Sequence, residues 1–167
     1  LDLVDKGVVT NQIVLTVGYD KESLADGHYT GEVVCDHYGR KIPKHAHGTQ
    51  NLGRHTSSTR KIIDTTMALF DRIIDKTLLA RRLNLTACNV IREEDIPEVE
   101  SYEQISLFDM AEAANADNNA EEKERALQEA MLLIKHKYGK NAILKGTNYT
   151  EGATARERNR SIGGHKA

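Results

Sequence analysis

The sequence predicts an α+β fold in which one sheet packs on one layer of helices. Three patterns predict this fold. Apolar and polar residues alternate over residues 12–19, as in a strand with one buried face. Apolar residues recur at helical spacing over residues 63–78, as in an amphipathic helix. A second alternation, over residues 83–91, predicts another strand.

The first strand should bury one face of its side chains. The residues on that face are Ile13, Leu15, Val17 and Tyr19, and the opposite face holds Val14, Thr16 and Gly18. Ahead of the strand, residues 1–4 have the pattern of the end of a helix, and Gly7 is placed to stop it. A chain that opens inside a helix indicates a piece of something longer.

Residues 20–44 are polar and contain several glycines, although residues 32–35 could form a short strand. The stretch YGRKIPKHAHGTQNLGRHTSS, residues 38–58, predicts a loop and then a strand whose exposed face is basic. Ser57 or Ser58 should cap the helix that follows. The apolar stripe of that helix consists of Ile63, Met67, Phe70, Ile74 and Leu78, widened by Ile62, Leu69 and Ile73.

The net charge of −2 conceals three segments of different charge. Residues 1–92 carry +3, residues 93–129 carry −11, and residues 130–167 carry +6. Charge segregation of this kind indicates separate roles along the chain. We therefore expect a domain at 1–92, an acidic linker at 93–118, a helix at 119–138 and a basic tail at 139–167.

Several classes of protein are disfavoured. No segment approaches the roughly 20 apolar residues of a membrane span, no signal peptide opens the chain, and no catalytic motif is recognisable. Cys35 and Cys88 do not suggest a disulfide framework, which favours a reducing cytoplasm. Cys35 with His37, and His45 with His47, could supply four metal ligands, but their spacing is not that of the usual zinc sites.

Cations alternate with glycines and hydroxyl residues over residues 40–61. Glycine lets a backbone N–H approach a phosphate closely, and hydroxyls and a helix N-terminus add further donors. Such a surface can hold a nucleic-acid backbone without reading its sequence. An ordinary solvated loop is the alternative interpretation of the same pattern.

A short apolar cluster, QISLF, lies at residues 104–108 inside the acidic linker. Leu107 and Phe108 have almost no apolar neighbours in sequence with which to form a core. An exposed apolar cluster in a solvated tract is typical of a segment that a partner buries. A contact with the preceding domain is the alternative.

Four blocks of the chain together resemble one known domain: LDLVDKGVVTNQIVLTVGYD, YGRKIPKHAHGTQNL, TSSTRKIIDTTMALFDRII and RRLNLTACNVI. They resemble the C-terminal little-finger domain of bacterial Y-family translesion DNA polymerases, in the UmuC/ImpB/MucB/SamB branch. The tail YGKNAILKGTNYTEGATARERNRSIGGHKA resembles the C-terminal extension of UmuC-like polymerases in low-GC Gram-positive bacteria. The resemblance implies an antiparallel four-stranded sheet on two helices, with the first strand and most of the first helix upstream of Leu1.

The resemblance also gives the predicted sites. QISLF is similar to the clamp-binding peptide Q-L-[SD]-L-F: Gln104, Ser106, Leu107 and Phe108 match, and Ile105 replaces the usual leucine. The implied DNA-binding residues are Arg40, Lys41, Lys44, His45, His47, Thr49, Arg54, Thr56, Ser57 and Ser58. We expect these to contact the phosphates of a template–primer duplex.

The function implied is that of a non-catalytic, DNA-holding and clamp-tethering region of an error-prone lesion-bypass polymerase in SOS-type DNA repair. The catalytic palm is missing, so we expect no enzyme activity and no cofactor or metal here, whereas the whole polymerase would use Mg²⁺. The expected partners are duplex DNA, a bacterial sliding clamp and possible second copies across the incomplete sheet. The expected location is the bacterial cytoplasm, on the nucleoid when DNA is bound. An adaptor that docks repair partners through the C-terminal helix and tail is the alternative.

Overall fold

The structure, a computed structural model, describes residues 1–25, 27–96, 109–162, 165 and 166. For residues 109–119, 162, 165 and 166 it describes the backbone alone. The elements in chain order are α1 (Asp2–Asp5), β1 (Val8–Tyr19), β2 (Val33–Cys35), β3 (Lys41–Pro43), β4 (Ala46–Thr56), α2 (Thr59–Ile73), β5 (Ala80–Cys88), β6 (Ile91–Arg92), α3 (Asp109–Tyr138), α4 (Ala155–Arg158), β7 (Ser161–Ile162) and β8 (His165–Lys166). The chain divides into two units, Lys6–Glu100, and Leu1–Asp5 with Ser101–Ala167.

The first unit is built on an antiparallel sheet in the order β4-β1-β5, so β1 is the central strand. The short strand β6 pairs with the start of β1, and β2 and β3 form a separate hairpin. The predicted α+β fold is confirmed. The alternation in β1 is confirmed as well, because Ile13, Leu15, Val17 and Tyr19 are each 4% exposed or less.

Helix α2 packs on β4 and β1 and supplies Leu69, which is 1% exposed, to the core. Ser58 caps the helix as predicted, since its Oγ accepts a hydrogen bond from the N–H of Lys61 at 3.1 Å. The helix lies so close to β4 that a Cβ at Gly48 would approach Leu69 Cδ1 to 2.8 Å and Ile73 Cγ2 to 2.9 Å. Glycine at position 48 therefore permits this close packing.

The predicted apolar stripe of α2 is buried only in its C-terminal part. Ile63 and Met67, which the spacing assigned to the stripe, are 44% and 53% exposed. Their predicted burial was wrong, whereas Phe70, Ile74 and Leu78 of the same stripe pack against the core beside Leu69 and Ile73. The core side of β5 is left open, and Leu83 and Leu85 are half-exposed.

The second unit contains the long helix α3. It ends at Tyr138 as predicted, and Gly139 follows with a φ of +92°, its N–H donating to the carbonyl oxygen of Lys135 at 2.9 Å. The helix begins at Asp109, ten residues before the predicted start. Residues 109–118 were assigned to the acidic linker, but they are rich in alanine, the strongest helix former.

Beyond α3 the chain is not the featureless tail that its composition suggested. A 3₁₀ turn (Gly146–Tyr149), α4 and the strands β7 and β8 follow in sequence. Asn141 joins the start of this segment to its end: it donates to the carbonyl oxygen of Arg156 at 3.3 Å and accepts from Asn159 Nδ2 at 2.8 Å. Within the described parts of the chain, no helix is both long and apolar enough to cross a membrane.

Candidate nucleic-acid interface

The side of the sheet opposite α2 is polar across all three long strands. The pairing register places Gln12, Val14 and Thr16 of β1 directly between partners in β4 and β5, and Gly18 beside Arg82 of β5. We call this surface the outer face. Its residues are Gln12, Val14, Thr16, Gly18, His47, Thr49, Asn51, Arg82, Asn84, Thr86 and Cys88.

Neighbouring strands are tied together on the outer face by hydrogen bonds between side chains. Gln12 Nε2 donates to Asn51 Oδ1 at 2.9 Å, and Thr16 Oγ1 lies 3.1 Å from His47 Nδ1. Along β5, Arg82 Nε donates to Asn84 Oδ1 at 3.2 Å. These contacts hold hydroxyl, amide and imidazole groups in fixed positions at the surface.

The charge of the outer face is positive or neutral, because none of its residues is acidic and Arg82 is a permanent cation. An anion that approaches this surface meets hydrogen-bond donors and no carboxylate of the face itself. The outer face can therefore accept phosphate oxygens or polar base edges, whereas the opposite side of the same strands carries the apolar core.

The structure brings only part of the predicted DNA-binding set onto the outer face. His47 and Thr49 lie there, exposed, on β4. Arg54 is exposed near the end of the same strand. Lys41 is exposed at the start of β3, and His45 is exposed between β3 and β4.

Two of the predicted cations form ion pairs with carboxylates at the β2–β3 hairpin. Arg40 Nη2 lies 2.6 Å from Asp36 Oδ2, and Lys44 Nζ lies 2.6 Å from Glu32 Oε2. The hydrogen bonds from the Arg40 side chain and backbone N–H lower the pKa of the Asp36 carboxyl below its ordinary value. These pairs reduce the positive charge that either cation offers to a phosphate.

The predicted hydroxyl residues at the start of α2 serve mainly the helix itself. Thr56 is 6% exposed, and its Oγ1 accepts a hydrogen bond from the N–H of Ser58 at 3.0 Å. Ser58 Oγ is the helix cap, and the partly exposed Ser57 stands between them. The glycine- and hydroxyl-rich pattern at this point reflects a helix start as well as a surface.

The predicted DNA-binding set contained only two of the eleven residues of the outer face, His47 and Thr49. Gln12, Asn51, Arg82 and Asn84 were not selected, although the alternation had already assigned Thr16 to the side away from the core. The missing signal was the strand register, because only the register shows which residues of β4 and β5 flank each position of β1.

The metal interpretation finds no support in the part of the chain that the structure describes. No group of three or more histidine, cysteine, aspartate or glutamate side chains there could hold a metal ion. The rings of His45 and His47 are 6.5 Å apart, centroid to centroid, and His47 contacts Thr16. The clamp-peptide residues, Gln104, Ile105, Ser106, Leu107 and Phe108, lie outside the described residues.

Comparison with known proteins gives one relationship over nearly the whole chain. The chain is 31% identical, over 160 residues that make up 95% of its length, to a protein of Bacillus subtilis (strain 168) named "Putative UV-damage repair protein UvrX". The chain spans 30% of the length of that relative. No protein-family model matches the chain, and no solved structure matches it significantly.

Proposed function

We propose that this chain is a non-catalytic DNA-binding region of an error-prone lesion-bypass DNA polymerase of the Y family, and that it acts in DNA repair. The outer face, polar and free of acidic residues, carries the proposal. The similarity to a relative named for UV-damage repair supports the repair role, as do the blocks that resemble a little-finger domain. The region would act in the bacterial cytoplasm, on the nucleoid when it holds DNA.

The dimensions of the outer face suit duplex DNA. Three strands spaced about 4.8 Å apart are roughly 10 Å across, and the major groove of B-DNA is about 12 Å wide. A sheet that lies along the groove sets its outer strands, β4 and β5, beside the phosphates. His47, Thr49 and Arg82 are on those strands and can donate to phosphate oxygens.

Backbone contacts suit lesion bypass for a physical reason. Phosphate contacts position the protein on the duplex without testing the geometry of the base pairs. A region that holds DNA in this way tolerates a distorted or mispaired base that would be rejected by a snug contact to base edges. In this proposal the nucleotidyl transfer and its Mg²⁺ belong to the rest of a longer polymerase, and this chain alone does not catalyse it.

The DNA-binding part of the proposal is tested by titrating fluorescent duplex DNA with the full chain at several salt concentrations. We expect the double variant His47→Ala/Arg82→Ala to bind about ten-fold more weakly at low salt, and Arg82→Ala alone to reduce the salt slope by about one. Lys21→Ala is the matched control, because it removes an exposed cation that is not on the outer face. Equal losses in control and double variant, or no salt-dependent binding, would contradict the proposal.

We also propose that QISLF binds a bacterial sliding clamp. Burial of Leu107 and Phe108 in an apolar pocket would contribute roughly 3–6 kcal/mol before ordering costs, which suits exchangeable docking. A tether of this kind raises the local concentration of the polymerase at the template. Binding to a clamp should be lost in Leu107→Ala/Phe108→Ala and kept in Leu127→Ala, which removes a 61% exposed leucine from α3. Unchanged binding in the double variant would contradict the proposal that QISLF binds the clamp.

The adaptor function remains the second candidate, since α3 and its end expose Leu127, Leu133 and Tyr138, at 61%, 72% and 67%. An adaptor would dock a repair protein on these residues and would not need DNA. Salt-dependent duplex binding that His47→Ala/Arg82→Ala weakens is expected of the DNA-binding function alone, so the titration above separates the two candidates.

A further inference from the structure

The segment after α3 forms a small ordered frame, residues 139–162, which we call the C-terminal module. The double contact of Asn141 with Arg156 and Asn159 joins its two ends. Thr150 Oγ1 donates to the carbonyl oxygen of Thr147 at 2.8 Å and closes the turn between them. The side chains on this frame are therefore held in a defined arrangement.

A cavity of about 290 Å³ opens on the C-terminal module. Arg156 and Arg160 line it together with Tyr149, Asn148 and Thr150, and Glu157 stands at the same cavity. The two arginines are four residues apart around the end of α4, where Arg160 N–H donates to the carbonyl oxygen of Glu157 at 3.0 Å. Both arginines line this one cavity.

The aromatic ring at the cavity is open to solvent. Tyr149 is 63% exposed, and the guanidinium carbon of Arg156 lies 5.0 Å from its ring centroid. A cation above an aromatic ring is attracted by the ring quadrupole, so Tyr149 and Arg156 hold each other in place. The pair combines a flat apolar surface with a planar, permanent cation.

The charge of the C-terminal module favours an anionic ligand. Residues 139–162 contain five lysines and arginines against two glutamates. Among the residues that the structure describes, no carboxylate forms an ion pair with Arg156, Arg158 or Arg160. The arginines at the cavity are thus available to phosphate, unlike Arg40 and Lys44 in the first unit.

We propose that the C-terminal module binds single-stranded nucleic acid, with one base stacked on Tyr149 and the adjoining phosphates on Arg156 and Arg160. A cationic cavity beside an exposed aromatic ring is the usual composition of single-strand sites. The ligand is single-stranded because a base must leave its helical stack before a protein ring can stack on it. The residues of this site and those of the outer face belong to different units, so this proposal can be tested independently of the proposed function.

The test measures binding of the full chain to a fluorescent oligothymidylate of about twelve nucleotides, within the range that single-strand sites cover. Affinity should fall about five-fold or more in Tyr149→Ala, Arg156→Gln and Arg160→Gln, and stay within about two-fold in Tyr149→Phe, which keeps the ring. Arg158→Gln is the matched control, since it removes the same charge from the same helix but is not at the cavity. An Arg158→Gln loss as large as that of Arg156→Gln would overturn the site.

A change of ligand tests stacking without relying on the fold of a variant. An abasic oligonucleotide of the same length should bind about five-fold or more weakly than the oligothymidylate, and equal binding would overturn the stacking site. A competition experiment adds unlabelled polyglutamate or unlabelled oligothymidylate, at equal charge, to the chain bound to the fluorescent oligothymidylate. If polyglutamate displaces the fluorescent ligand as effectively, the proposal is overturned, because the cavity would then be a docking point for acidic peptides. His47→Ala/Arg82→Ala should leave oligothymidylate binding unchanged while it weakens duplex binding, so failure of one proposal is distinguishable from failure of the other.

Discussion

Leu15 and Leu85 are direct partners across the sheet and point to the same side, yet their environments differ. Leu15 is 2% exposed under α2, and Leu85 is 50% exposed. The next pair on that side repeats the difference, with Val17 fully buried and Leu83 59% exposed. A period of two specifies which face of a strand is apolar, but the position of the helix decides which half of that face becomes core.

The uncovered half of the apolar side is exposed, as are Ile63 and Met67 of α2. The resemblance to a little finger implies that an upstream helix would lie against such a sheet. The other expectation was that a second copy of this chain covers the open apolar side of β5. Cover by the upstream helix and cover by a second copy both stay predictions. The outer face shows no such contrast, because its polar character runs across β4, β1 and β5 alike.

The largest expected effect comes from truncating the two paired leucines. Leu15→Ala should lower the free energy of unfolding by about 3–5 kcal/mol, because it leaves a cavity in the core. Leu85→Ala should lower it by about 1 kcal/mol, since half of that side chain is already in water. Urea unfolding of the two variants measures both values. Similar losses that depend on protein concentration would show that a second copy covers β5.

The next effect contrasts glycines on the two faces of the sheet. Gly48→Ala should cost about 1–3 kcal/mol, because the new methyl group would press on Leu69 and Ile73 where α2 meets β4. Gly18→Ala should change the free energy of unfolding by no more than about 0.5 kcal/mol, as its nearest neighbour, Arg82 Cβ, is 3.6 Å away on the outer face. Thermal unfolding of both variants provides the comparison, and a neutral Gly48→Ala would contradict the close helix packing.

A smaller change in the free energy of unfolding is expected at Tyr19, the last residue of β1, on the side of the sheet that α2 covers. The hydroxyl of Tyr19 accepts a hydrogen bond from the N–H of Asp75 at 2.9 Å, just beyond the end of α2. Tyr19→Phe keeps the buried ring and should lower the free energy of unfolding by about 1 kcal/mol. Urea unfolding detects this change, and a stability equal to that of the wild type would mean that the bond contributes nothing.

The smallest effect is a dependence on pH at Asp75. Hydrogen bonds from the Thr77 hydroxyl, at 2.6 Å, and from the Thr77 N–H, at 2.9 Å, lower the pKa of the Asp75 carboxyl from its ordinary 3.8. A lowered pKa in the folded state stabilises the fold above pH 3.8, and this stabilisation is lost as pH falls through the folded pKa. Asp75→Asn should therefore lower Tm slightly at pH 7, and the difference should shrink below pH 3.8. A difference that stays constant with pH would contradict the assignment.

The sequence was most informative where a local rule acts alone. Alternation predicted the buried face of β1, a serine predicted the start of α2, and Gly139 predicted the end of α3. Its predictions failed where the burial of a residue depends on distant parts of the chain, or where the local signal for a helix is weak. The exposure of Ile63 and Met67 depends on which part of α2 packs on the sheet, and the start of α3 depends on alanine propensity without an apolar stripe.

Part of the candidate site could also be predicted from the sequence. His47 was selected from local composition as well as from the resemblance, and Thr49 from the resemblance alone; both lie on the outer face. Arg82 and Asn84 could not be, because their place beside Gly18 and Thr16 follows from strand pairing across more than 60 residues. The sequence did not predict that the C-terminal module is folded. Its fold depends on Asn141, a single side chain that joins two distant backbone segments.

The central claim is that the outer face, and not the apolar side of β5, holds duplex DNA. Methyl NMR spectra of the full chain, recorded as duplex DNA is added, test this claim most directly. We expect the methyl signals of Val14, Thr16 and Thr49 to shift with salt-dependent saturation, while those of Leu83 and Leu85 stay in place. Shifts confined to Leu83 and Leu85, or no shift at Thr16 and Thr49, would contradict it.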